Sequence, residues 1–332
     1  MSKTKSYNNN IFQIIFRGIL IYLKNFIPLS RTMLFPVFGQ VIGIIWTLFM
    51  AVYMSRTIAK SFNQEAFTNN ILFIFLILFA TVLPGFLILL KAFWDYMIII
   101  VSLNSMTSNI VKQGHLKDIK VHNDLVKVKS KEYVGLLLFL SVIWLVGLAL
   151  PALIFFVQSP FAPFMFIGLE LLSLMILTVI SVYLSLCYQV FAFENLSVIN
   201  TVKRSWNLVE GNFCRTFFLG FILSLLTCML IPGIFQLAIE KTALTTVMVQ
   251  PLQPYTAALV NNPLYLMIVT IFSDITGQKL LPTAFSYQIM KFMTKAVLGG
   301  IVTVFVLPLG SACYTLLYLD IVNRKNFKSK KK

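Results

Sequence analysis

Residues 134–157, VGLLLFLSVIWLVGLALPALIFFV, decide the fold class of this chain. The stretch has no charged residue and is long enough to cross the hydrocarbon core of a bilayer, which takes about 20 mostly apolar residues. Since only helices satisfy the backbone in lipid at such lengths, the sequence predicts an all-α integral membrane protein with six transmembrane helices. The other five apolar stretches lie at about 32–53, 71–101, 161–193, 214–238 and 296–319.

The composition supports this class and excludes others. Of 332 residues, 58% are apolar and 11% are charged, whereas a soluble domain is roughly half apolar and a quarter charged. The formal charge of +16 is also found in nucleic-acid-binding proteins, but here the basic residues flank the apolar stretches, as they do in membrane proteins. We therefore expect membrane lipids and other membrane proteins as partners, and no nucleic acid.

The distribution of Lys and Arg predicts the orientation. With the N-terminus in the cytoplasm, the inner segments hold twenty basic residues and the outer segments hold six. This asymmetry predicts cytoplasmic termini, which an even number of spans satisfies. The expected organisation is a cytoplasmic N-terminus (1–31), one six-helix transmembrane domain (32–319) and a basic cytoplasmic tail (320–332).

Two further features concern the segments between the spans. Three amphipathic stretches, Asn9–Phe26, 112–131 and Ser197–Phe213, are typical of helices that lie in the headgroup region on the cytoplasmic side. The longer segment 239–295 is predicted to be an external loop. Its short apolar part, 263–275, is compatible with a re-entrant, an interfacial or a spanning segment.

Metal and catalytic chemistry receive little support from the sequence. No CxxC occurs, and no HExxH, GxSxG or P-loop pattern occurs. We therefore expect no metal site, no cofactor and no disulfide framework, and we predict that the chain is not an enzyme. The residues considered are Cys187, Cys214, Cys228, Cys313, His115 and His122.

Glu170 is the clearest candidate for an intramembrane functional residue, because an ionisable side chain within a span is costly. One interpretation is a proton or cation site that faces the interior of the helix bundle. The other is a carboxyl group near the outer interface, or a neutral and hydrogen-bonded one.

Lys91 and Asp95 form a second candidate, because their i, i+4 spacing allows them to pair on one helix face. This pair is either a gate or relay, or a self-satisfied pair at the interface. Asp320 and Arg324 have the same spacing at the end of the last span, where an interfacial anchor is expected.

Prolines interrupt three of the predicted spans, at Pro84-Gly85, Pro232-Gly233 and Pro308. Broken helices mark binding sites in transporters, yet proline and glycine are also common in ordinary membrane helices. Both interpretations stay open at this point.

Residues 193–221, FENLSVINTVKRSWNLVEGNFCRTFFLGF, and the C-terminal pattern around Tyr318 resemble a bacterial membrane-domain family. That family includes the membrane domain fused to some glycerophosphodiester phosphodiesterases. The resemblance implies a multi-pass protein of the bacterial cell membrane, and no phosphodiesterase activity, since a His-Arg-Gly motif is absent from this sequence. The matching positions are Arg204, Ser205, Trp206, Gly211, Asn212, Phe213, Arg215, Tyr318 and Asp320.

Two functions follow as hypotheses. The first is a non-enzymatic scaffold or accessory protein in envelope or lipid homeostasis. The second is a small transporter or channel that uses Glu170 and kinked helices.

Overall fold

A computed structural model describes residues 10–61, 71–114, 119–156, 161–241 and 281–329, with isolated positions at 260, 266, 269–270 and 273–274. Every regular element within these ranges is helical, which confirms the all-α class. His115 and most of segment 263–275 lie outside the described residues.

Eleven α-helices follow one another along the described part of the chain. A 3₁₀ segment, Leu150–Phe156, and a π-helical segment, Leu225–Leu230, extend two of them. The helices are α1 (Ile11–Lys24), α2 (Phe26–Ser61), α3 (Ile71–Gln113), α4 (Ile119–Val128), α5 (Ser130–Ala149), α6 (Ala162–Leu184), α7 (Cys187–Phe193), α8 (Val198–Val209), α9 (Phe213–Ser224), α10 (Ile231–Lys241) and α11 (Pro282–Ser329).

Six stretches of helix are long and apolar enough to cross a bilayer, in agreement with the six predicted spans. The chain is a multi-pass membrane protein. The stretches are Phe26–Thr47, Phe75–Gln113, Ser130–Ile154, Phe164–Phe193, Phe213–Ala238 and Leu298–Asn326.

Two predicted boundaries were wrong. Helix α3 continues to Gln113, twelve residues beyond the predicted end at 101, because its polar continuation is buried against other helices. Helix α11 begins at Pro282, so residues 282–295 are helical, although we expected them in a loop. Proline at the first helical position is favourable, because its missing N–H has no intrahelical acceptor there.

The three predicted amphipathic stretches form the helices α1, α4 and α8. Helix α1 begins with a capping box, in which the Asn10 N–H donates to the Gln13 side chain at 3.1 Å. Gly211, with a φ of 78°, allows the sharp turn from α8 into α9.

The chain divides into two compact units. The first unit comprises residues 1–32, 97–225 and 307–332. At its centre lies the C-terminal half of α11, which several helices of this unit contact. Gly18 of α1 lies against Cys313, Gly220 of α9 lies against the Tyr314 hydroxyl, and polar side chains of α3 and α7 bind near Thr315.

The second unit comprises residues 33–96 and 226–306. Within it, α2 and α3 approach closely through small residues, with Gly39 against Ala92 and Gly43 against the backbone near Gly85. The Trp46 indole N–H donates to the carbonyl of Thr81 at 3.3 Å. Such close contact at small residues is common between membrane helices, where dispersion contacts replace the hydrophobic effect.

Candidate functional site

The residues of the sequence motif come together around α11. Arg215, in the first turn of α9, places its Nη1 atom 2.5 Å from Oδ2 of Asp320. Arg324 places its Nε atom 2.8 Å from the same oxygen, so the predicted pair between Asp320 and Arg324 is present. The Asp320 side chain is 1% exposed. We call Arg215, Asp320 and Arg324 the Asp320 triad.

A second group of charges joins α8 to the same helix. The Arg204 Nε–H donates to both oxygens of Glu194, at 3.1 and 3.0 Å. The Tyr318 hydroxyl donates to Oε1 of Glu194 at 2.7 Å. We call Arg204, Glu194 and Tyr318 the Glu194 triad, and the two triads together the α11 clamp.

The remaining motif residues fix the region around the α8–α9 turn. The Ser205 hydroxyl donates to the carbonyl of Tyr183 at 2.8 Å. Trp206 stacks on the Tyr183 ring with a centroid distance of 4.1 Å, and Phe213 packs on the same ring at 5.3 Å. The Asn212 amide donates to the carbonyl of Leu208 at 3.4 Å, near the end of α8. These contacts join the ends of α6, α8 and α9.

A buried polar cluster centred on Asn104 was not predicted from the sequence. Its Oδ1 atom accepts hydrogen bonds from Ser311 at 2.6 Å, and from Gln189 and Thr315 at 3.4 Å. The cluster joins α3, α7 and α11 inside the first unit. The signal in the sequence is the run of polar residues after Leu103, which lies beyond the end of the predicted span at about 101.

His122, within the predicted amphipathic stretch 112–131, is buried on α4 against α3. Its Nδ1 atom lies 2.8 Å from the Ser105 hydroxyl, and its Nε2 atom lies 3.1 Å from the Asn109 amide nitrogen. Beside it is a cavity of about 20 Å³, bordered by Lys129 and Phe191, which has room for about one water molecule. These contacts hold α4 against the polar extension of α3.

Helix α1 has three different faces. One face packs on the protein, a second is apolar and exposed, and a third carries polar side chains. Burial raises the pKa of the Tyr22 phenol on the first face. The three faces consist of Ile14, Gly18 and Tyr22 (buried), Phe12, Phe16 and Leu23 (apolar and exposed), and Gln13, Arg17 and Lys24 (polar).

Helix α4 likewise has a buried face, an apolar exposed face and a polar face. An apolar exposed face next to a polar one is what a helix needs when it touches protein, lipid and water at once. The three faces consist of His122 and Val126 (buried), Val121, Leu125 and Val128 (apolar and exposed), and Lys120, Asp124 and Lys127 (polar).

Glu170 lies on the face of α6 that packs on α5. Ser173 and Leu177, three and seven residues further along the same face, both contact Gly147: the Ser173 hydroxyl donates to its carbonyl at 2.5 Å. One carboxylate oxygen of Glu170 is shielded from solvent and has no hydrogen-bond partner among the described residues. The side chain therefore faces the other helix of its own hairpin.

Lys91 and Asp95 do not form the ion pair that their spacing allows, within the part of the chain that the structure describes. The Lys91 ammonium instead lies 5.4 Å from the centroid of the Phe35 ring, in a cation–π contact between α3 and α2. The predicted pairing was wrong, because an aromatic ring on the neighbouring helix competes for the cation.

The three prolines behave differently from one another. Pro84 and Pro308 lie inside the continuous helices α3 and α11, so neither ends its helix. Pro232 follows the π-helical segment, where the hydrogen-bond ladder is already altered.

The cysteines are free: Cys187 and Cys313 are buried, and Cys214 and Cys228 are exposed. Within the described ranges, no three acidic, cysteine or histidine side chains lie together in a way that could hold a metal ion.

Comparison of the chain with protein-family models, with curated proteins and with solved structures gives no match. The relation to the membrane domain of glycerophosphodiester phosphodiesterases therefore rests on the residues quoted above, and remains a prediction.

Proposed function

We propose that this chain is a non-enzymatic protein of the bacterial cell membrane that acts as a scaffold or accessory in envelope or lipid homeostasis. In this proposal both termini are cytoplasmic, and the chain is a stand-alone relative of the membrane domain of glycerophosphodiester phosphodiesterases. Membrane lipids and other membrane proteins are its partners.

The observation that carries the proposal is that charged residues of the sequence motif form ion pairs within the protein. Arg204, Arg215 and Asp320 are taken up in ion pairs that join helices of the first unit. A buried acid that is ion-paired with residues of other helices is suited to holding those helices in place, whereas a catalytic acid has to reach a substrate. The motif thus favours a structural core over an active site.

The three-faced helices support the lipid part of the proposal. Helices α1 and α4 expose large apolar side chains such as Phe16 and Leu125 beside basic residues. Such faces bind at the boundary between headgroups and acyl chains, and their lysines and arginines attract anionic lipid.

Deletion of the gene in its host tests the proposal. We expect altered envelope lipid composition by mass spectrometry and greater sensitivity to detergent, both restored by the wild-type gene. Asp320→Asn should fail to restore them, while Asp124→Asn, which changes an exposed acid on α4, should restore them fully. Unchanged lipids and unchanged detergent sensitivity in the deletion strain would exclude this role.

One observation favours a small transporter as a second candidate. Glu170 has a shielded carboxylate oxygen with no hydrogen-bond partner among the described residues, and it lies in the span Phe164–Phe193, within which an ionisable group is a candidate for a transport function. Flux of protons or monovalent cations into liposomes, compared between the native protein and Glu170→Gln, tests it. Flux that is present and lost in the variant supports transport, and equal flux removes Glu170 from the mechanism.

A further inference from the structure

The Arg204 guanidinium is held through its Nε atom by a carboxylate that a tyrosine also binds. Its Nε–H donates to both oxygens of Glu194, and the Tyr318 hydroxyl binds the same carboxylate. Glu194 therefore accepts three hydrogen bonds, which fixes its position. The plane of the Arg204 guanidinium is fixed in turn, although its side chain is 41% exposed.

This arrangement leaves the outer edge of the guanidinium available. Arginine has five N–H donors, and the contact with Glu194 uses the one on Nε. Over the described residues, the structure gives the two Nη groups no acceptor. An arginine that is oriented through Nε and presents both Nη groups outward has the geometry of a fork for phosphate oxygens.

Two lysines lie near Arg204, and α8 also exposes apolar side chains. Lys203 is exposed next to Arg204, and the Lys325 ammonium binds the carbonyl of Asn207, one helical turn along α8. On another side of the same helix, Ile199 and Trp206 are exposed. Exposed tryptophan beside basic residues is typical of the level at which headgroups meet the membrane surface.

We propose that Arg204, supported by Lys203 and Lys325, binds the phosphate of an anionic phospholipid headgroup. The Glu194–Tyr318 pair acts as a positioning device that keeps the guanidinium ready for the phosphate, so that less rotamer entropy is lost on binding. The inference rests on the proposed role in lipid homeostasis, and it names the lipid class that the protein recognises.

The test is a binding titration of the purified full chain in neutral detergent micelles with fluorescently labelled phosphatidylglycerol, read by anisotropy. Arg204→Gln should weaken binding about tenfold or more, because charge-assisted hydrogen bonds are lost. Arg204→Lys should weaken it by several-fold, because lysine keeps the charge but lacks the fork. The matched control, Lys291→Gln, removes an exposed cation from the N-terminal part of α11, outside α1, α4 and α8, and should change the affinity by less than about twofold.

A second set of variants separates binding from folding. Arg204→Gln leaves Glu194 without its cation, so a Glu194→Gln/Arg204→Gln variant, which removes both charges, should show the same loss while unfolding cooperatively. Tyr318→Phe keeps every charge and should weaken binding by a smaller factor, which a purely electrostatic attraction would not show.

Three results would overturn the proposal. The first is unchanged affinity in the folded double variant, and the second is equal loss in Lys291→Gln, which would indicate diffuse charge attraction. The third is displacement of the lipid by inorganic phosphate at similar concentration, which would indicate a free-phosphate site. Because the titration uses purified protein, its failure is distinguishable from the absence of a phenotype in the deletion strain.

Discussion

The C-terminal half of α11 and the α5–α6 hairpin are both apolar helices of the first unit, but they meet different surroundings. In the most apolar part of the α11 span Leu298–Asn326, 59% of the residues are buried inside the protein. In each of the two spans of the hairpin, only 6% of the corresponding residues are buried. Asp320 of α11 forms ion pairs through Oδ2 and Tyr318 donates to Glu194, although Oδ1 of Asp320 is shielded and has no hydrogen-bond partner among the described residues. The hairpin carries Glu170, one oxygen of which has no hydrogen-bond partner among the described residues.

This contrast indicates where the free energy of folding resides. Lipid solvates the outer side chains of the hairpin as well as protein would, so their exposure costs little. Around α11, dispersion contacts and buried charge pairs hold the helices together, and the loss of one member of a buried pair is costly. Substitutions should therefore be costly at α11 and mild in the hairpin.

The largest effect is expected for Asp320→Asn. It leaves Arg215 and Arg324 without their shared carboxylate in a buried place, which should lower the free energy of unfolding by about 3–5 kcal/mol. Denaturant unfolding in detergent micelles measures this. The matched control Asp124→Asn breaks an exposed pair with Lys127 and should cost less than about 1 kcal/mol. Similar losses in the two variants would contradict the account.

Tyr318→Phe should come next. It removes the hydroxyl that donates to Glu194 at 2.7 Å and preserves the ring, so the expected loss of stability is about 1.5–3 kcal/mol, as for a hydrogen bond to a charged group. The same unfolding experiment checks it. A change below about 0.5 kcal/mol would mean that the Glu194 triad contributes little to stability.

A pair of glycine substitutions compares the two regions directly. At Gly18, a β-carbon would collide with Cys313 of α11, so Gly18→Ala should destabilise the protein by about 1–3 kcal/mol. At Gly168 in the hairpin, no atom lies within 4 Å of the new β-carbon, so Gly168→Ala should be neutral or stabilising by up to about 1 kcal/mol. The opposite order in thermal unfolding would refute the comparison.

The smallest effect is expected for Glu170→Gln. The exchange keeps the shape, and the shielded oxygen has no hydrogen bond to lose among the described residues, so stability should change by less than about 0.5 kcal/mol. Calorimetry of the purified protein measures this, and a loss above about 2 kcal/mol would show that Glu170 has a strong partner.

The six spans were predictable because a helix in the hydrocarbon core of a bilayer requires a long apolar stretch, which is visible in a single sequence. The polar end of α3 was missed for the same reason: residues such as Asn104 and Ser105 lower the hydropathy but are satisfied by α4, α7 and α11. Hydropathy indicates whether a helix is surrounded by lipid or water, but it does not show hydrogen bonds to side chains on other helices.

The α11 clamp was only partly predictable. The pair of Asp320 and Arg324 follows from helical spacing, and the motif residues were identified from a family resemblance. The contact between Arg215 and Asp320 joins residues 105 positions apart, which no periodicity of one sequence reveals. The failure of Lys91 and Asp95 to pair has the same origin, since Phe35 comes from another helix.

The central claim is that buried charges of the motif hold helices against α11, and a double-mutant cycle on Arg215 and Asp320 tests it most directly. The free energies of unfolding of the wild type, Arg215→Met, Asp320→Leu and the double variant would be compared. The account predicts a coupling energy of about 1–3 kcal/mol, with the double variant more stable than the sum of the single losses implies. Losses that add to within about 0.5 kcal/mol would contradict it.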